Sequence, residues 1–288
     1  MQITPVSEIN AEGVVKESYN DLKSALGVHS LPLFFSYIGP FPEYLSYISK
    51  QLIVNLNDIR FTALVNDAAE QFKTLIESEL RNSQEKNEWL LKFSNTPTYF
   101  YFKKDTEHIF ITNIKLCLIF IALREAVKGW AVAARQLKSS FTEDMKQQTN
   151  VDQDIASEMI YEEVSSTIIT STQGMSNRSQ DITAKGNELV QVDPSSIEKN
   201  LLPEYLLICR NDFGELMKQE RFLMARLTTE KLLLSYIGLL PGLIFSPINV
   251  VLDLTSKYQT FPELLYLLSE HFPTYAVQRM MFSGYMMK

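Results

Sequence analysis

The chain is poor in the residues from which most catalytic and metal-binding motifs are built. Among 288 residues there are two cysteines, three histidines and two tryptophans. Cys117 and Cys209 each lie inside an apolar run, and no CxxC or Cys/His ligand spacing occurs. A disulfide framework and a zinc knuckle are thereby excluded. His29, His108 and His271 stand at no readable spacing from a Ser or Cys, so a nucleophilic triad has no support. HExxH, ExxH, DxDxDG and glycine-rich phosphate loops are missing, and no metal and no cofactor are expected. Ten glycines and eleven prolines are too few for a loop-rich or all-β chain.

Basic residues are also in the minority. Lys and Arg number 27 against 34 Asp and Glu, for a net charge of −7, and no basic stripe is interleaved with aromatics. Nucleic acid is excluded as a partner on that ground, and anionic membrane surfaces are disfavoured. The opening "MQITPVSEINAEGVV" is acidic and has no apolar core of the kind a secretory signal carries. With two thiols in apolar surroundings, the expectation is a cytoplasmic protein.

What the sequence does have is apolar content, 45% of residues, spaced at three and four. "VVKESYNDLKSAL" (14–26) puts Val15, Tyr19, Leu22 and Leu26 on one face. "RFTALVNDAAEQFKTLIESEL" (60–80) reads as one amphipathic helix, and "IFITNIKLCLIFIALREAVKGWAVAARQL" (109–137), apolar on nearly every side in its first half, as a central, buried helix. Alternation at period two is not sustained anywhere; β-rich runs such as "TPTYFYF" (96–102) are short. The fold class is all-α. "LLLSYIGLLPGLIFSPINVVL" (232–252) has the length of a membrane span, but Gly238, Pro241, Gly242 and Pro247 break it. Two short buried helices joined at "LPG" are expected there, and no membrane association.

The octamer "FPEYLSYI" (41–48) returns as "LPEYLLIC" (202–209), and "INAEGVVKESYNDL" (9–22) as "VDQDIASEMIYEEV" (151–164). The offset grows from 142 to 161, and the polar stretch "TIITSTQGMSNRSQDITAKGNELVQ" (167–191) lies where the surplus falls. A proline in each copy suits the first turn of a helix. "FPELLYLL" (261–268) is a third echo, a reminder that the octamer is partly a generic helix start. The expected architecture is two pseudo-symmetric helical repeats, 1–145 and 146–288, packed as an intramolecular pseudo-dimer with a polar insertion at about 167–191. A ligand pocket between them is the natural site, and a homodimer of the whole chain is allowed.

On these residues the chain resembles the group I 2-haloacid dehalogenases. "EGVVKESYNDLKSALGV" with "FF" and "FPEYL" (12–45) is similar to the opening of that family's first repeat. "NIKLCLIFIALREAV" (113–127) is similar to its closing helix, "VDQDIAS" (151–157) to the start of the second repeat, and "LPG" (240–242) to a turn near the end. The wider alkylhydroperoxidase-like helical proteins share the general likeness, but the Cys and His motif on which they depend is missing. The resemblance implies cofactor-free hydrolysis of a short 2-halocarboxylic acid, with water activated by a carboxylate and no covalent ester on the enzyme. The alternative is a non-catalytic member of the fold that binds a small apolar acid between its repeats.

The resemblance also implies site residues. Asn113 takes the place of the asparagine that positions substrate or water. Counting back from Pro203 places the family's aspartate at Ser195, with Asp193 two residues away, and the first-repeat counterpart is Phe34, a pocket wall. Asp193 followed by "PSSIEK" is also a helix-start signature, and the N-cap reading stands ahead of general base. Asn113 either bonds a neighbouring helix or faces a pocket. Arg124 either pairs with Glu125 at the surface or holds a substrate carboxylate through two parallel hydrogen bonds.

Overall fold

The computed structural model describes residues 2–139 and 194–288, with side chains described for 2–128 and 201–288. Within these residues the protein is all-α, without a strand. The 145/146 boundary, the polar stretch 167–191, "VDQDIAS" and Asp193 lie outside the described residues.

Helix α1 (Gly13–Leu26) buries Ser18, Tyr19, Leu22 and Leu26, the face its apolar spacing marks. It stops because Gly27 turns left-handed at φ +73° and sends its N–H back to the Lys23 and Ser24 carbonyls. A single turn, α2 (Leu33–Ser36), leads into α3 (Pro42–Leu56), where Pro42 opens the first turn and Glu43 sits favourably beside the helix N-terminus. Helix α4 (Ile59–Glu79) is capped by Asp58, whose carboxylate accepts the Arg60 N–H at 2.8 Å. Helix α5 (Gln84–Phe93) is capped in the same way by Ser83.

Helix α6 (Pro97–Ser139) is the axis of the fold, 43 residues and roughly 65 Å long. The β-rich run at 96–102 forms its first turns. From Leu116 to Leu123 every residue is buried, so the helix is enclosed on all sides there. After the undescribed stretch come α7 (Pro194–Met217) and α8 (Glu220–Ile237). Pro203 falls inside α7 and not at its start; the helix has nine residues ahead of it and runs on, forgoing one backbone hydrogen bond.

Helix α8 lies antiparallel to α4, tied at one end by Arg221 to Glu79 (3.0 Å) and at the other by Tyr236 to Asp67 (2.5 Å). It ends at Ile237, residues 238–247 are irregular, and α9 (Ile248–Lys257) follows. Two helices do flank the "LPG" step, but they are not both buried: Leu239, Leu243, Phe245, Ile248 and Leu252 are exposed. The irregular segment is fastened to α3 instead of being enclosed. Gln51 exchanges two hydrogen bonds with the Phe245 backbone, and Asn55 accepts the Gly242 N–H at 2.9 Å. No described helix is long and apolar enough to cross a membrane.

The chain closes with α10 (Phe261–Tyr266), a π turn (Leu267–His271) and α11 (Phe272–Met287). The π turn supplies the extra residue that lets Pro273 begin a helix without its ring striking the preceding turn. Among the described residues, α6 with α11 is the most extensive helix pairing.

Gly284 makes that approach feasible. A methyl on its Cα would stand 2.4 Å from Ile76 Cδ1 and 2.9 Å from Phe110 Cε2, inside van der Waals contact with α4 and α6 at once. Gly284→Ala is expected to cost about 1–3 kcal/mol in urea unfolding. Ile76→Val, which removes the nearer methyl, should recover part of that loss in the double variant. Purely additive losses would contradict the packing.

Candidate functional site

The α6–α11 seam encloses several buried polar groups, the expected site residue Asn113 among them. Asn113, 1% exposed, donates from Nδ2 to Ser283 Oγ at 3.1 Å and to the Arg279 carbonyl at 3.4 Å. Ser283 in turn donates to the Met280 carbonyl at 2.9 Å. A buried amide needs such partners, and these fix the rotation of α11 against α6. One turn away Arg279 is itself buried, its guanidinium 5.6 Å from the Phe34 ring centroid. Phe34 packs against Phe120 at 4.7 Å and Phe272 at 5.3 Å. Cys117 lies in the same region; burial pushes its thiol far up, although the Arg279 charge pulls the other way.

Phe34 meets the Arg279 guanidinium, whereas Asn113 meets the Arg279 backbone carbonyl and not its charge. Arg124 is elsewhere, donating to Glu125 at 3.1 Å and to Glu230 at 3.4 Å, with Arg226 also near Glu230. Ser195 belongs to the first turn of α7, and Asp193 immediately precedes that helix, outside the described residues. Of the histidines, His29 is exposed, His108 bonds to the Gly27 carbonyl at 3.2 Å, and His271 stacks near Tyr266 and Tyr275. Among the described residues no group of three or more His, Cys, Asp or Glu could hold a metal ion. An open groove of about 220 Å³ at the end of α11, lined in part by Lys73, Lys103, Glu107 and Lys288, includes none of the expected site residues.

Arg279 and Ser283 escaped the sequence reading. Their signal was an Arg and a Ser four residues apart inside the apolar run "VQRMMFSGY", a pattern that only the packing of α6 turns into a site.

A second buried charge lies across the fold. Lys86 is fully buried, donating from Nζ to the Tyr285 carbonyl at 2.5 Å and to Asn82 Oδ1 at 3.1 Å, and it stands 3.7 Å from the Tyr285 ring centroid. Burial pulls its ammonium down to about 8; Cys209 and Asp212 act in the opposite sense and Lys288 adds to the fall. Burial likewise pushes the Cys209 thiol up to about 12. Tyr205 donates to the Met286 carbonyl at 2.8 Å and Tyr285 to Asp212 at 2.9 Å, so the last turn of α11 is held by a lysine and a tyrosine.

No protein-family model matches the chain, and no curated protein or solved structure does either.

The Lys86 environment predicts a pH effect of definite sign. Its folded value of about 8 lies below the unfolded 10.5, so between those values the unfolded chain holds more protons and stability rises with pH. The wild type is expected to gain about 2–3 kcal/mol relative to Lys86→Met between pH 8 and pH 10. Urea unfolding of both proteins across that range reads the difference directly. A difference that stays flat with pH would show Lys86 to be solvated.

Proposed function

We propose that the chain is a small-acid protein of the group I 2-haloacid dehalogenase type, acting as a cofactor-free hydrolase on a short 2-halocarboxylic acid. The single observation that carries the reading is the buried Arg279 guanidinium over the Phe34 ring, on the helix whose backbone holds Asn113. A guanidinium matches a carboxylate through two parallel hydrogen bonds, and low-dielectric surroundings strengthen the pair. Phe34 and Phe120 offer an apolar wall to the carbon bearing the halogen. In this reading a carboxylate, Asp193 by the resemblance, takes a proton from water as the water oxygen bonds to C2. The C–halogen bond breaks in the same step, its electron pair leaving with the halide, and a 2-hydroxy acid is formed. Arg279 takes the anchoring role that the sequence offered to Arg124.

A specific observation favours the second reading, a non-catalytic binder of a small apolar acid. The Asn113 amide nitrogen already donates to two groups on α11, which is the behaviour of a residue that holds a seam.

Halide release from racemic 2-chloropropionate at neutral to alkaline pH separates the two. The hydrolase reading expects release by the wild type, loss of turnover in Asp193→Asn, and a KM raised roughly tenfold to a hundredfold in Arg279→Gln. No release, with a thermal shift by 2-chloropropionate that Arg279→Gln abolishes, leaves the binding protein. Neither release nor a shift sinks both readings.

A further inference from the structure

We draw no further inference here: the strongest candidate, the exposed apolar face of α8 formed by Leu223, Met224, Leu227 and Leu234, carries nothing because nothing in the structure shows what covers it.

Discussion

Everything in this molecule depends on covering α6. A helix buried over eight consecutive residues has no solvent face, and its neighbours must supply a complete apolar sleeve. The aromatic groups at Phe34, Phe35 and Phe272 close around Phe120 on one side, and Gly284 lets α11 close in on another. Each Leu or Phe enclosed in this way contributes about 1.5–3 kcal/mol. The enclosed polar groups then have to find partners inside the sleeve. Thr106 donates to the Phe102 carbonyl at 2.8 Å, and Asn113 reaches across to α11. The proposed site is thus a by-product of enclosure: along the seam α6 buries an amide against the α11 backbone, and α11 brings a guanidinium against Phe34.

Helix ends are the second recurring theme. The C-terminal carbonyls of α11 meet Lys86 and Tyr205, and those of α4 meet Lys288 and Arg221. Cations placed there satisfy orphan carbonyls and oppose the negative end of the helix dipole. For exposed Arg221 this is inexpensive. For Lys86 it requires an ammonium within a near-apolar enclosure, and the fall of its pKa to about 8 reflects that cost. The pairing also links α5 to α11 across the whole fold, binding the last residues of the chain to the first half.

Much of this was legible in the sequence. The faces of α1 and α4, the enclosure of α6 and the break at "LPG" all follow from apolar period and from Gly and Pro positions, which act locally. Pro203 misled because its local preference for a helix start gave way to the nine residues of α7 ahead of it. Arg279 and Lys86 were illegible for a different reason. A cation looks the same in sequence whether it reaches solvent or is enclosed, in the apolar run around Arg279 as in the polar "NSQEKNE" around Lys86, and only the neighbouring helices decide. The exposed leucines of α8 belong to the same class: their spacing reads as core until α4 is seen to occupy the other face.

The account stands on Arg279 as the group that receives a carboxylate beside Phe34. The most direct measurement is a crystal of the protein grown with 2-bromopropionate, with anomalous diffraction recorded at the bromine edge. The account predicts one bromine peak in contact with the Phe34 ring, with the carboxylate on the Arg279 guanidinium. A bromine peak only in the lysine-lined groove at the end of α11, or none at all, would contradict it.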